Sequence, residues 1–291
     1  MNEPTTPTYQ GRHLPRPGDE LTDQGLGFDL HTLLGRRQLL RAFGAGAVTL
    51  GIAACSDQSS ADSAGPGPSR SPGGPGTATT RVEIPEETPG PFPGDGSNGP
   101  DILERSGVIR TDIRASLDGS TPAAGVPLAL TLTVGDLAGG GRPLAGAAVY
   151  VWQCDSIGRY SMYGDGVTRE TFLRGVQVTD STGTVKFSSV FPGCYPGRWP
   201  HVHFEVYPDR ASITDHRSVL ATSQLAFPRD VCETVYASTA YGQSAAHLAD
   251  VSLATDMVFR DDRAELQTAN VQDDAGGGYR AALDITIDTR T

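Results

Sequence analysis

The sequence predicts an all-β protein, an antiparallel β-sandwich with long loops and a few short helices, preceded by a disordered N-terminal leader. Short runs of alternating apolar and polar residues recur from about residue 81 to the end of the chain, separated by Gly, Pro and Asp clusters. The chain shows no strand–helix–strand rhythm and no internal repeat. Hydrophobic residues make up 37% of the 291 residues, beside 36 Gly and 21 Pro. This composition indicates that part of the chain is not packed into a core.

The clearest predicted strand covers residues 126–134, where every second residue is apolar, as in a half-buried strand. The run at 147–152 is rich in β-branched and aromatic residues, which favour strands. Further strands are predicted at 184–187, 201–207, 219–226 and 283–287. Only two segments are compatible with short helices, at 230–237 and 244–253.

Residues 36–55 resemble a bacterial export signal. A twin arginine at 36–37 precedes a mildly apolar, uncharged run at 42–54, which is shorter than the roughly 20 residues that span a bilayer. The arginine pair is similar to a twin-arginine signal. The end of the run, Ala-Ala-Cys at 53–55, resembles a lipobox, in which Cys55 would carry a lipid anchor. A buried apolar helix that follows a basic turn is the alternative.

Three segments follow from these patterns. Residues 1–55 are predicted to be an export leader, residues 56–80 a disordered Ser/Gly/Pro linker, and residues 81–291 the folded domain. The linker has no large apolar residues, so it cannot bury enough surface to offset the entropy of ordering. The expected location is the outer face of the cytoplasmic membrane, or outside the cell.

Charge and cysteines narrow the function classes further. The formal net charge is −11 and no basic stripe is present, which argues against nucleic acid as a partner. Besides Cys55 there are three cysteines, so at most one disulfide can form among Cys154, Cys194 and Cys232. A pairing of Cys194 with Cys232 is expected.

The first candidate for a metal site is the His201-Val-His203 sequence. Alternate side chains of a strand share a face, so the two imidazoles lie side by side and can reach one metal ion. Val202, Phe204 and Val206 then point the other way, into a core. By itself the pattern also fits two solvent-facing histidines opposite a buried face.

The residues upstream strengthen the metal interpretation. A Gly/Pro-rich loop presents Tyr195 and Arg198 shortly before the histidines. Earlier, a strand end from Trp152 runs through a turn to Tyr160. Each residue alone fits an ordinary packing role, such as a half-buried strand tyrosine or a surface ion-pair partner.

Together these motifs resemble the intradiol ring-cleavage dioxygenase family. Its W-x-x-x-x-x-G-x-Y stretch matches 152–160, its second tyrosine after Pro-Gly matches Tyr195, and its R-x-x-H-x-H-F matches 198–204. Its T-x-Q-L-x-F-P is similar to 222–228. The resemblance spans about residues 87–260, with the motifs in family order.

The resemblance implies a site for Fe(III) held by Tyr160, Tyr195, His201 and His203. Tyr160 and His201 would be equatorial ligands, and Tyr195 would leave the metal when a catechol binds. Arg198 would stabilise negative charge on the ring, and Gln224 would position intermediates. The implied reaction is cleavage of a catechol by O2 to a cis,cis-muconate-type diacid.

The resemblance also implies a substrate pocket near residues 87–92. Pro91 and Phe92 would line it, and Tyr163 would touch the substrate or simply pack.

Two phenolates and two neutral imidazoles form a hard donor set that suits Fe(III), whereas zinc sites use Cys, His or carboxylate ligands.

The chain departs from the family in two places. Residues 81–123 show no helical segment of the kind used for dimerisation, so a monomer and a homodimer both remain open. Only five residues separate Tyr195 from His201, where relatives carry a long insert, and a more open pocket for larger or substituted catechols is expected.

Two other functions stay open, namely a non-catalytic transthyretin-like binding module and a metallohydrolase that adds Asp155 or Glu205 to the histidines.

Overall fold

The computed structural model describes residues 82–120 and 122–290, together with two dipeptide strands, β1 (Thr8–Tyr9) and β2 (Arg12–His13), that pair antiparallel. The export signal at 36–55 and the linker at 56–80 lie outside the described residues and stay predictions, as do the boundaries of the three segments. Within the described part of the chain, no helix has the length and apolar character needed to cross a membrane.

The domain is built from strands and very little helix. The strands are β3 (Pro127–Asp136), β4 (Arg142–Pro143), β5 (Ala148–Trp152), β6 (Arg174–Val178), β7 (Thr184–Val190), β8 (His201–Tyr207), β9 (Ala221–Ala226), β10 (Asn270–Asp273) and β11 (Tyr279–Ile287). The helices are α1 (Arg229–Tyr236) and α2 (Ser244–Asp250), with 3₁₀ turns at Ala211–Thr214, His216–Ser218 and Thr239–Tyr241. The predicted strands and both predicted helices are present; β4, β6 and β10 were not predicted.

Two sheets form the sandwich. One has the order β10-β11-β3-β4, with β7 also paired to β3, and the other has the order β6-β5-β8-β9. All pairs in these sheets are antiparallel except one, because β11 runs parallel to β3 from Tyr279 beside Leu128 to Ile287 beside Asp136. The prediction of an antiparallel sandwich is therefore confirmed in its architecture and corrected for this pair.

The main core fills the space between the sheets. β3 contributes the buried side chains of Leu128, Leu130 and Leu132, which follow the predicted alternation. β8 contributes Val202, Phe204 and Val206 from the second sheet, as predicted. The inward faces of both sheets are thus apolar. Because alternate side chains of a strand point to opposite faces, His201 and His203 lie on the outward face of β8.

The outward face of the second sheet is also covered. Every residue of β8 is buried, and a second apolar cluster packs there around Tyr150 and Trp152 of β5. Ile102 and Leu103 join that cluster from the segment that precedes β3. This segment carries no helix or strand over 82–120, only isolated bridges, and acts as a lid of irregular chain. His201 and His203 therefore lie in an enclosed layer.

The expected disulfide is absent. Cys154, Cys194 and Cys232 are all buried free thiols, so the pairing of Cys194 with Cys232 is wrong. Burial raises the pKa of each thiol above its usual range. Sequence spacing cannot show whether two cysteines meet with suitable geometry, and this accounts for the error.

Candidate metal centre

Strand β8 places both histidines. His201 lies opposite Ala226 of β9, and His203 lies between Trp152 of β5 and Gln224 of β9. The two imidazoles are 2% and 3% exposed and their Nε2 atoms lie 3.1 Å apart. The predicted side-by-side arrangement is therefore confirmed, and the alternative of solvent-facing histidines is wrong.

Tyr160 is positioned by a loop that Asp155 closes. The Asp155 carboxylate accepts hydrogen bonds from the backbone N–H groups of Ile157 (3.1 Å) and Arg159 (2.9 Å), and it pairs with the Arg159 guanidinium at 2.8 Å. Gly158 has φ +90°, and a Cβ at this position would lie 3.0 Å from Cβ of Tyr195. A glycine here therefore allows the loop to press against Tyr195.

Tyr195 lies at the start of a tight turn. The backbone N–H of Arg198 donates to the carbonyl of Tyr195 at 3.4 Å, and Gly197 has φ +77°. Pro followed by Gly at the two central positions is the sequence of a type II turn. The Tyr-Pro-Gly-Arg stretch thus sets Tyr195 and Arg198 at the two ends of one turn, immediately before β8.

Four donor atoms converge at one point. Oη of Tyr160 lies 3.4 Å from Oη of Tyr195, 3.3 Å from Nε2 of His201 and 3.2 Å from Nε2 of His203. Oη of Tyr195 lies 3.3 Å from Nε2 of His201. A metal ion with bonds of about 2.0–2.2 Å would place neighbouring donors about 3.0–3.4 Å apart. The four residues therefore fit the first coordination sphere of one ion.

The histidine rings are held so that Nε2 faces this point. Nδ1 of His201 hydrogen-bonds the carbonyl of Trp199, which leaves Nε2 as the lone-pair nitrogen. The ring of His203 stacks on Trp152, with centroids 4.7 Å apart and an interplanar angle of 9°. Its buried Nδ1 has no hydrogen-bond partner within 82–120 and 122–290. Backbone and stacking contacts thus orient the two rings.

Burial sets the protonation of the four groups. Burial lowers the pKa of His201 to about 3, helped by the positive charge of Arg198, and it lowers the pKa of His203 well below the usual range. Both imidazoles are therefore neutral and able to donate a lone pair. Burial raises the pKa of Tyr195 to about 12 and that of Tyr160 well above its usual range. The phenols accordingly need a bound cation to ionise.

Arg198 and Gln224 lie together beside His203. Nη2 of Arg198 donates to Oε1 of Gln224 at 2.6 Å, and Nε donates to Oδ2 of Asp256 at 3.0 Å. Nε2 of Gln224 donates to the carbonyl of Thr88 at 3.1 Å. The structure therefore joins Arg198 to Gln224 by a hydrogen bond and adds Asp256, which was not predicted.

The predicted pocket residues separate into two groups. Phe92 packs against Tyr160, with ring centroids 5.1 Å apart, so it belongs to the wall of the centre. Pro91 neighbours it and accepts a hydrogen bond at its carbonyl from Asn98. The hydroxyl of Tyr163 donates to Asn98 and accepts from the N–H of Gly94, so Tyr163 packs the lid.

Three residues near the centre were not predicted. Arg174 is completely buried and donates to the carbonyls of Phe92, Pro93 and Ser161, and so ties the 92–93 segment to the residue that follows Tyr160. Asp256 holds Arg198. Glu87 accepts from Gln267 at 3.4 Å, and burial raises its pKa to about 8. No sequence pattern marked Arg174, because the strand that begins with it, β6, was not predicted.

The carboxylates proposed for a metallohydrolase point elsewhere. Glu205 accepts a hydrogen bond from Tyr207 at 2.9 Å, and burial raises its pKa well above the usual range. Asp155 is engaged by Arg159 and the loop backbone. Within the described ranges, no group of three or more His, Cys, Asp or Glu residues could hold a metal ion. The geometry thus disfavours a zinc hydrolase centre.

Comparisons with known proteins agree with this geometry. A family model described as dioxygenase matches residues 97–240, which include all four donor residues, Arg198 and Gln224. The fold is similar to that of an intradiol ring-cleavage dioxygenase from Tetranychus urticae, with a TM-score of 0.57 and 26% identity over 72% of this chain and 95% of that one.

A curated relative adds a short, closer match. The chain is 45% identical over 56 residues to a catechol 1,2-dioxygenase of Candida albicans. The match covers 19% of this chain and 18% of the relative, so it spans less than a fifth of the relative's length. The family model, the shared fold and the convergent donor set lead to one conclusion: the chain belongs to the intradiol ring-cleavage dioxygenase family.

Proposed function

We propose that the protein is an Fe(III)-dependent dioxygenase that cleaves a catechol-type ring between its two hydroxyl-bearing carbons and yields a cis,cis-muconate-type diacid. The observation that carries the proposal is the convergence of two phenol oxygens and two imidazole nitrogens within 3.1–3.4 Å in a buried layer. Two chance histidines on a binding module would not need two tyrosine hydroxyls aimed at the same point.

The donor chemistry supports ferric iron as the metal. Two phenolates are hard anionic ligands that favour a trivalent over a divalent iron, and two neutral imidazoles complete the set. When bound, Fe(III) would supply Lewis-acid chemistry, because it would favour ionised catechol oxygens and withdraw electron density from the ring, which makes a ring carbon reactive toward O2. The remaining chemistry falls to residues of the chain.

Tyr160 and Tyr195 have different surroundings, which supports different roles. Tyr160 is 3% exposed beneath Phe92, whereas Tyr195 is only half-buried at the edge of its turn. We assign Tyr160, His201 and His203 to permanent ligation. We assign Tyr195 as the ligand that the substrate displaces. Its Oη would accept a proton from an incoming catechol hydroxyl, and the side chain would then turn away from the metal position.

Arg198 supplies a fixed positive charge beside the ligands. It is buried, it is anchored at Nε and Nη2, and its charge reaches both tyrosines. In a site with little water such a charge stabilises developing negative charge on the ring and on bound oxygen. Gln224 holds the guanidinium on one side and the carbonyl of Thr88 on the other.

The short interval between Tyr195 and His201 bears on the substrate. Its tip at Pro196 and Gly197 is exposed, so little chain covers the centre on that side. We propose that the protein accepts catechols with bulky ring substituents. Turnover confined to unsubstituted catechol would overturn this part of the proposal.

Oxygen uptake by the full chain, supplied with ferric iron and a panel of catechols, tests the function. We expect uptake equimolar with catechol and a diacid product that carries both atoms of ¹⁸O2. His203→Ala should abolish uptake, and Arg280→Ala, which changes a surface residue remote from the ligands, should not. Iron-replete protein that consumes no oxygen with any catechol would contradict the proposal.

We also propose that the chain is exported and lipidated. The support is the twin arginine at 36–37 and the Ala-Ala-Cys at 53–55. Fractionation of expressing bacteria, with mass spectrometry of the mature N-terminus, should find a chain that begins at lipidated Cys55. A mature chain that retains residues 36–54 in the cytoplasm would contradict it.

A further inference from the structure

Asp256 makes an unusual number of contacts for a residue outside the ligand set. It is completely buried and lies in irregular chain after helix α2. Oδ2 accepts from Nε of Arg198 at 3.0 Å and from the backbone N–H of Trp199 at 2.6 Å. Oδ1 accepts from the N–H groups of Val258 at 2.8 Å and Phe259 at 3.1 Å. Four donors therefore fix the plane of this carboxylate.

The guanidinium of Arg198 is held from two sides as a result. Asp256 takes Nε, and Gln224, which lies opposite His203 across β8 and β9, takes Nη2 at 2.6 Å. Nη1 is the guanidinium nitrogen that makes no hydrogen bond to a residue of the described ranges. A planar guanidinium pinned at two nitrogens has one orientation, so the free Nη1 has a fixed direction.

We infer that Asp256 is a positioning residue that orients the Arg198 guanidinium and thereby directs Nη1 at the substrate bound beside His203. The inference deepens the proposed function and rests on it for its kinetic part. It makes a structural claim as well: without the carboxylate, the Arg198 guanidinium would keep Gln224 as its one hydrogen-bond partner among residues 82–120 and 122–290 and would sample other rotamers.

Asp256→Asn is the direct test, because it preserves size and removes the charge. We expect iron content, visible absorption and anaerobic affinity for catechol to stay close to wild type, while kcat falls about 100-fold. Arg198→Gln should lower kcat by a similar factor, and the double variant should lose no more than either single variant. Asp215→Asn, which neutralises an exposed Asp–Arg pair at Arg217, is the matched control.

Two results would overturn the inference. One is a loss of kcat in Asp256→Asn that merely follows its iron content, which indicates a structural role. The other is a double variant whose loss equals the product of the two single losses, because Asp256 and Arg198 would then act independently.

Arg198→Lys provides a test that leaves Asp256 unchanged, should Asp256→Asn not fold. A single ammonium cannot serve Asp256, Gln224 and the substrate at once. We therefore expect Arg198→Lys to lose as much kcat as Arg198→Gln. Retention of near wild-type kcat would show that charge alone suffices and would contradict a positioning role.

A readout independent of turnover separates this inference from the proposed function. In metal-free protein, NMR should show an Nε–H proton of Arg198 that exchanges with water far more slowly than that of exposed Arg217. Asp256→Asn should remove the difference. Equal exchange of Arg198 in both proteins would overturn the inference even if the wild type cleaves catechol. An inactive wild type that shows the expected exchange would contradict only the proposed function.

Discussion

Nε2 of His201 lies 3.1 Å from Nε2 of His203 on the same face of strand β8, and no carboxylate of residues 82–120 and 122–290 completes a metal site with them. The partners of the pair are the hydroxyls of Tyr160 and Tyr195. This donor set distinguishes the centre from hydrolytic zinc sites, and the two tyrosines are the natural targets for mutation.

Tyr160→Phe and Tyr195→Phe should behave differently. Loss of the buried Tyr160 oxygen removes a permanent ligand, so we expect iron affinity to fall by about 10- to 100-fold or more. Tyr195→Phe should keep iron, shift the visible band and lower kcat. Iron analysis and absorption spectra check both, with Tyr163→Phe as a control that changes neither. Identical behaviour of the two variants would contradict the assigned roles.

Arg174 should matter for stability more than any surface arginine. Within residues 82–120 and 122–290 no other donor reaches the carbonyls of Phe92 and Ser161, so Arg174→Met leaves one partly buried and one buried acceptor without these partners. At about 1–3 kcal/mol each, the free energy of unfolding should fall by about 3 kcal/mol in urea denaturation of the metal-free protein. Arg290→Met, at an exposed position, should change it by less than about 0.5 kcal/mol. Equal effects would show that the buried guanidinium is dispensable.

Glu87 should give the stability a characteristic pH dependence. Burial raises its pKa from 4.5 to about 8. Between these values the folded protein holds a proton that the unfolded chain has lost, so unfolding releases a proton and stability falls as pH rises. The wild type should therefore lose stability relative to Glu87→Gln, by at most about 1.4 kcal/mol per pH unit and less because Glu87 is partly exposed.

Urea denaturation of the metal-free protein at several pH values between 4.5 and 8 measures this difference. Glu104→Gln, at an exposed carboxylate, is the control and should show no trend. A constant difference between the wild type and Glu87→Gln over this range would mean that Glu87 is ionised in the folded protein.

Short sequence patterns predicted those parts of the metal centre whose geometry is set by a single strand or turn. Alternation on a strand was enough to place His201 and His203 on one face, because side-chain direction there follows directly from position. The Pro-Gly turn likewise explains why Tyr195 and Arg198 lie together. Tyr160 and Gln224, in contrast, were recognised through their match to motifs of the dioxygenase family.

Contacts between residues that are far apart in the chain could not be predicted from such local patterns. Asp256 lies 58 positions from Arg198 in irregular chain with no periodicity, so nothing local marks it. The parallel pairing of β3 with β11 joins strands at opposite ends of the domain, and an apolar pattern carries no information on strand direction. Arg174 starts a strand whose Arg-Gly opening shows no apolar alternation.

The visible absorption spectrum of the full chain containing equimolar iron tests the central claim most directly. Two tyrosinates bound to Fe(III) produce a strong charge-transfer band, so the protein should be burgundy, and anaerobic addition of catechol should shift the band. A colourless protein with full iron occupancy would contradict ligation by Tyr160 and Tyr195 and, with it, the assignment of ring cleavage to this centre.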